Sequence, residues 1–326
     1  MFISKSLFRC VAVLGLISVM LIASPGISFG QPFLGDSNFN ASAVVNPSNP
    51  SAALRANEGV GNWYESRADG TSGPLLLTLD TVTVGSNATH KAKLASSTNF
   101  NTYLTQQFGT PQTGVFAVQW DIYMDTILSV SGYPDRAGWM LIGDSTDPTR
   151  TGPNSDDPER FVYMAFYKNG GGTSGPMDLV ARDRDDTWDL FTTVATGLQM
   201  KQWHTIKVVC NIPGGTYQVY VDGTSRGTVT SRQVKTQVTH ISFASWDPEG
   251  AGTFYVDNVR RVASTCTGDI SEDGDRDGAD LASFIAAYGT TQGQTAYNPL
   301  ADMDGDNDVA LDDLAIFAGL FGHSCP

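Results

Sequence analysis

One acidic unit near the C-terminus occurs twice, the second copy in register with the first at an offset of 33 residues. From Asp269 the chain reads D-I-S-E-D-G-D-R-D-G-A-D to Asp280, then L-A-S-F-I-A-A-Y-G. From Asp302 it reads D-M-D-G-D-N-D-V-A-L-D-D to Asp313, then L-A-I-F-A-G-L-F-G. A loop of about twelve residues can give a Ca²⁺ ion its roughly six to eight oxygens from positions 1, 3, 5, 7, 9 and 12. In the first copy these are Asp269, Ser271, Asp273, the Asp275 carbonyl, Asp277 and Asp280. In the second they are Asp302, Asp304, Asp306, the Asp308 carbonyl, Ala310 through a water, and Asp313. The sharp turn at position 6 favours positive φ, which Gly274 gives freely and Asn307 tolerates.

After each loop, Leu281, Phe284, Ile285 and Tyr288, and again Leu314, Phe317, Ala318 and Phe321, fall at i, i+3, i+4 and i+7. That spacing predicts one apolar stripe on each of two helices. Gly289 and Gly322 predict where the helices stop.

Two loops, each followed by one helix and with no incoming helix, resemble dockerin type I modules more than paired EF-hands. The resemblance covers about a fifth of the chain. It implies a loop–helix pair folded around two Ca²⁺ ions and a cohesin-like domain as partner, an arrangement that tethers polysaccharide-degrading enzymes. Ser271 stands where the family has Asn or Asp, and Asn307 where it has glycine. Gly278–Ala279 and Leu311–Asp312 occupy the positions that often read the partner. A calcium-stapled structural tail with no partner is the alternative.

Residues 1–30 read as a secretory signal peptide: Lys5 and Arg9, an apolar run from Cys10 to Ala23, and Ser28-Phe29-Gly30 before Gln31. The apolar run is short for a membrane span, and nothing later is long enough. The expectation is a secreted protein, extracellular or associated with the cell surface. In that setting Cys266 and Cys325, which bracket the duplicated module, are expected to form a disulfide, since so small a module needs staples. Cys210 lies in T-I-K-V-V-C-N-I and reads as a buried small hydrophobe.

Charge divides the chain. From residue 263 onward twelve acidic residues face one base, Arg276, so of the net −14 only about −3 belongs to the rest. No basic cluster offers a surface to nucleic acid or to an anionic membrane.

Residues 31–262 read as an all-β body and residues 263–326 as a small α-helical, duplicated EF-hand-like module. Aromatic and β-branched runs at 75–84, 114–125, 161–167, 203–210, 216–223, 240–246 and 253–262 alternate with Gly, Pro, Asn and Asp punctuation. Trp203–Val209, Tyr217-Gln-Val-Tyr-Val-Asp-Gly223 and Phe254-Tyr-Val-Asp-Asn-Val259 resemble the concanavalin A-like (laminin G-like) lectin and glucanase jelly roll. That resemblance implies two facing sheets with glycan bound on a concave face.

Sandwich glucanases of this kind carry E-x-D-x-x-E on one strand. The nearest string here, Gln119-Trp-Asp-Ile-Tyr-Met-Asp125, has an amide at the nucleophile position, and Asp121 and Asp125 read as ordinary strand residues. His90, His204 and His240 are scattered and suggest neither a lyase base nor a zinc site. Trp139, Trp188 in R-D-R-D-D-T-W-D, and Trp246 at the W-D-P-E corner are candidate sugar-stacking residues, with the sandwich core as their other place. Asp257 resembles an aspartate that helps hold a structural calcium in some carbohydrate-binding jelly rolls. Glycan binding leads. A tethered glycoside hydrolase or polysaccharide lyase, and a purely structural extracellular protein, are the alternatives.

Overall fold

The computed structural model describes residues 34–35, 38–39, 59–66, 77–96, 101–146, 151–154, 157–185, 191–246, 250–262, 267–271, 276–292, 294, 296–298, 300–304 and 306–323. Among them the strands are β1 (Trp63–Tyr64), β2 (Leu77–Asp80), β3 (Lys91–Ala95), β4 (Thr102–Gln112), β5 (Val115–Ile127), β6 (Arg136–Gly143) and β7 (Arg160–Tyr167). They continue with β8 (Pro176–Ala181), β9 (Thr192–Gln199), β10 (Trp203–Asn211), β11 (Thr216–Val221), β12 (Thr224–Thr230), β13 (Val238–Ser245) and β14 (Gly252–Val262). Two helices follow, α1 (Gly278–Ala287) and α2 (Leu311–Leu320).

The strands form two seven-stranded antiparallel sheets that pack as a jelly-roll-like β-sandwich. The front sheet runs β1-β4-β13-β6-β7-β8-β9 and the back sheet β12-β11-β10-β5-β14-β3-β2. Alternation sets the back sheet: in β10, His204, Ile206, Val208 and Cys210 point inward while the residues between them are half-buried. Tyr217, Val219 and Val221 do the same in β11. The Asp222–Gly223 turn joins β11 to β12 with φ of 50° and 77°, the two positive values a tight hairpin needs. Between the sheets Phe243 sits 5.6 Å from Trp120 and 6.1 Å from Trp63, in a core that also holds Met140, Ile142, Met164 and Phe166.

Where the sequence predicts one strand over 75–84, β2 ends at Asp80. Its partner β3 supplies only Lys91–Leu94 to pair with, and Thr81, Val82 and Thr83 are exposed beyond it.

The front sheet departs from half-burial. All of β6 and nearly all of β7 is buried, so alternate residues serve two clusters. Met140, Ile142, Val162 and Met164 face the inter-sheet core, while Trp139, Leu141, Tyr163 and Ala165 join Tyr103, Val180, Ala244 and Trp246 on the outer face. This second apolar layer covers the outer side of β6 and β7. Trp246 and Gly250 exchange backbone hydrogen bonds of 3.2 and 2.8 Å, closing a hairpin over Trp139. A Cβ at Gly250 would lie 1.8 Å from Trp139 Nε1, so only glycine lets that hairpin settle.

The tail obeys the repeat. Each helix ends at a positive-φ glycine, Gly289 at 78° and Gly322 at 79°, and Asn307 takes φ of 76° at its loop turn. The two units lock reciprocally: Gly289 N donates to Val309 O at 2.8 Å and, one repeat over, Gly322 N donates to Arg276 O at 2.7 Å. The equivalent rings Phe284 and Phe317 stack at 5.7 Å and 12°. Ile270, Ala287, Ala301 and Val309 complete a small core.

Candidate functional site

Two places in the chain gather chemistry: the acidic loops of the tail and the outer face of the front sheet. In the second loop Asp302, Asp304 and Asp306 bring one oxygen each to within 4.8 Å of one another, and Asp308, Asp312 and Asp313 form a second such group. Backbone N–H groups wind the loop around these carboxylates. Asn307 N donates to Asp302 at 3.0 Å, Asp306 N to Asp304 at 3.1 Å and Asp308 N to Asp306 at 3.0 Å.

Asp313 at position 12 is fully buried. Its Oδ1 accepts from Met303 N and Asp304 N at 2.6 and 3.2 Å, and its Oδ2 from Ala310 N at 2.8 Å. Asp280, its counterpart, accepts from Ser271 N and Asp277 N at 2.7 and 2.8 Å. These two carboxylates tie their loops shut. Asp277, read as a ligand, also caps α1 by accepting from Ala279 N at 2.7 Å. Asp269 is buried, while Asp273 and Asp275 lie outside the described residues.

The donor set suits a hard cation. Asp308 Oδ1 and Ser271 Oγ are out of reach of solvent with no hydrogen-bond partner, an expensive condition for an acceptor and an ordinary one for a metal ligand. Burial, reinforced by neighbouring carboxylates, raises the Asp304 and Asp308 carboxyls above the usual range. The hydrogen bond to Asp302, 2.5 Å long, pushes the Tyr297 hydroxyl up to about 12. Asp312 was not read as a ligand from sequence; its adjacency to Asp313 was the available signal.

Cys266 and Cys325 lie outside the described residues. Cys210 is buried and free, its thiol pushed up by burial, as its apolar run predicts.

On the front sheet's outer face the expectation for tryptophan is corrected. Trp139 is 1% exposed and Trp246 8%, stacked on each other at 4.8 Å, so neither offers an open ring face to a sugar. Trp188 lies outside the described residues. The two indoles instead form a floor with Tyr163 and Phe191, 5.0 and 5.8 Å from Trp139. Arginines brace it: Arg136 lies 4.2 Å from the Phe191 ring, and Arg160 lies 4.5 Å from Tyr163 and 5.0 Å from Trp246. Asp157 collects Arg160, Arg182 and Arg232 at 3.1, 3.3 and 2.6 Å.

Beside this floor opens a cleft of about 460 Å³, lined by Tyr133, Asp135, Arg136, Tyr167, Phe191 and Thr193 among others. Strand register builds it, for Arg136 of β6 pairs with Tyr167 of β7, which pairs with Asp178 of β8. Sequence reasoning missed this cleft, because its residues come from four separated segments. The i+4 spacing of Tyr163 and Tyr167, which puts both on one strand face, was the only trace.

Among the described residues, the carboxylates singled out from the sequence of the body are engaged. Asp121 accepts from Thr205 Oγ1 at 2.7 Å and Asn258 Nδ2 at 2.8 Å, and Asp125 pairs with Lys201. Asp257, opposite Asp121 across β5 and β14, accepts from Asn87 Nδ2, Thr89 Oγ1 and Asn258 N. His204 is buried between Asp222 and the Gln199 carbonyl. His240 is buried too, and desolvation lowers it to about 4.

No family model and no curated protein matches the chain. Solved structures with a similar fold include a sialidase (12% identity, TM-score 0.43), of which this chain spans 18% while the match covers 71% of its own length. Others are the alginate lyase AlyC3 (6%, TM-score 0.43, covering 70% of this chain and 98% of that one) and domain 4 of AbnA. The latter is a GH43 extracellular arabinanase from Geobacillus stearothermophilus in complex with arabinotriose (11%, TM-score 0.36, 68% and 89%). At these identities the likeness concerns architecture, not activity.

Proposed function

We propose that the sandwich is a glycan-binding domain, that its site is the cleft beside the aromatic floor, and that the tail holds two Ca²⁺ ions and docks or anchors an exported protein. The observation that carries the glycan reading is the cleft's composition. Tyr133, Tyr167 and Phe191 line it together with Asp135, Asn169 and Thr193. A sugar ring has an apolar C–H face for the former and a belt of hydroxyls for the latter, so a concave lining that mixes the two kinds of group can meet both.

Calcium is the cation the oxygen-only loops would hold, through Asp302, Asp304, Asp306 and Asp308 in one and Asp269 and Ser271 among the described residues of the other. It would supply charge neutralisation and loop rigidity. A docking role is supported by an apolar groove of about 230 Å³ between the helices, lined by Leu281, Leu314, Phe317, Ala318 and Phe321, with Ile285 and Leu311 exposed nearby. A cohesin-like domain is the partner the resemblance names.

The test is polysaccharide depletion and oligosaccharide titration with the full-length protein, product release being followed in the same samples. Tyr167→Ala and Phe191→Ala should each weaken binding roughly tenfold, as expected for aromatic anchors. Unchanged affinity in both variants would move the site elsewhere, and turnover would replace a binding function with an enzymatic one.

A further inference from the structure

We propose that the cleft selects neutral glycan chains and rejects polyuronates, with Asp135 as the discriminating residue; this rests on the glycan-binding reading above. Among the described residues lining the cleft two are charged, Arg136 and Asp135, and they are placed differently. Arg136 is 4% exposed, and its guanidinium lies against the Phe191 and Trp139 rings at 4.2 and 5.4 Å. Stacked there and almost wholly buried, it offers a bound chain little direct contact. Asp135 is half-buried, and its side chain is fixed by accepting from Gly170 N at 2.8 Å.

A second carboxylate stands close by. Asp178 is the cross-strand partner of Tyr167, on the same face, and accepts from Gly197 N at 3.2 Å. Lys168, the residue after Tyr167, donates its ammonium to the Pro176 carbonyl at 3.1 Å and packs against Gly172 and Gly175, within the turn rather than the cleft. A chain bearing a carboxylate on each sugar therefore meets the fixed Asp135 carboxylate, which is the more exposed of the two charged groups lining the cleft. A neutral chain finds carboxylate oxygens able to accept from its hydroxyls, and these are stronger acceptors than neutral oxygens. Like charges near contact in a solvated cleft cost on the order of fivefold in affinity, and salt screens the effect.

The experiment pairs each neutral polysaccharide with the same polymer oxidised to carboxylates at C6 and titrates the full-length protein with both at low and high salt. The expected result is binding at least about fivefold weaker for the oxidised member. The gap should narrow with salt and should narrow in Asp135→Asn. Equal or tighter binding of the oxidised polymers by the wild type would overturn the selectivity while leaving glycan binding intact. So would a gap that neither Asp135→Asn nor Asp178→Asn reduces. Binding of neither member of any pair would remove the glycan reading itself.

Discussion

Replacing Asp157 by Asn tests whether the outer face of the front sheet is held by one carboxylate. Asp157 receives Arg160 Nη1 at 3.1 Å, Arg182 Nη1 at 3.3 Å, and Arg232 Nε and Nη2 at 3.2 and 2.6 Å. The three arginine side chains are 8, 5 and 12% exposed and the aspartate 27%. Stripping one partner from a fully buried ion pair costs about 3–5 kcal/mol. The partial exposure of Asp157 and the oxygen that asparagine retains reduce this to roughly 2–3 kcal/mol. For a domain of this size that is about 5–10 °C in Tm. The assay is thermal unfolding followed by circular dichroism across pH.

Burial alone would raise the Asp157 carboxyl, but the Arg232 hydrogen bond and the charges of Arg160, Arg182 and Arg232 outweigh it and hold the group below its ordinary 3.8. A depressed acid contributes stability that is present above 3.8 and is lost as pH falls through the folded value. The difference between wild type and variant should therefore be largest near neutrality and shrink below about pH 4. A Tm change under about 2 °C at pH 7, or a gap that persists undiminished in acid, would refute the reasoning.

Three further results are expected. His240, lowered from 6.5 to about 4 by burial, leaves the unfolded chain binding the extra proton between those values, so stability falls as pH drops through that window. The loss is roughly 3 kcal/mol at most, and His240→Gln should flatten the pH profile over that interval. Calorimetric titration should find two Ca²⁺ per chain, one after Asp302→Ala and none after Asp269→Ala with Asp302→Ala; an unchanged stoichiometry would dismiss the loop assignment. Chelation should loosen the tail and leave the sandwich transition in place, since among the described residues the strands of both sheets pair with one another and not with these loops.

The tail was legible because its information is local. For its helices, the apolar stripe and the stopping glycine lie within one repeat, and α1 and α2 begin and end within a few residues of the reading. In the body, strands with aromatic or β-branched alternation, such as β10 and β11, were legible for the same reason. The edge strand β12, T-S-R-G-T-V-T, is almost wholly exposed and takes its form from pairing with β11, a property of its neighbour. The outer face was illegible on other grounds. A tryptophan on a strand reads alike whether it faces the core, an open site or a second apolar layer, and Trp139 and Trp246 occupy the third. Phe191 and Tyr133 reach the cleft only through sheet order.

Acidic residues in the two parts of the chain are in opposite electrostatic condition, and that difference assigns their roles. In the sandwich each prominent carboxylate has found donors: Asp157 its arginines, Asp257 an amide, a hydroxyl and a backbone N–H, Asp144 the Lys235 ammonium at 2.8 Å, and Glu159 both the N–H and the hydroxyl of Thr146. A carboxylate held this way stiffens the scaffold and is poorly placed to exchange protons with a substrate. The tail does the reverse. Asp302, Asp304 and Asp306 crowd within 4.8 Å, with backbone N–H groups and the Tyr297 hydroxyl among their donors, and Asp308 keeps a buried oxygen without a donor. A twelve-to-one excess of acid over base in one small module cannot be balanced from within, since Arg276 is its sole strong base. A divalent cation held there would offset the repulsion and give the Asp308 oxygen a partner. The described carboxylates of the body named here act as struts, and those of the tail are crowded together where a bound cation would offset them. The expected outcome is a tail whose fold depends on a divalent cation and a sandwich whose fold does not.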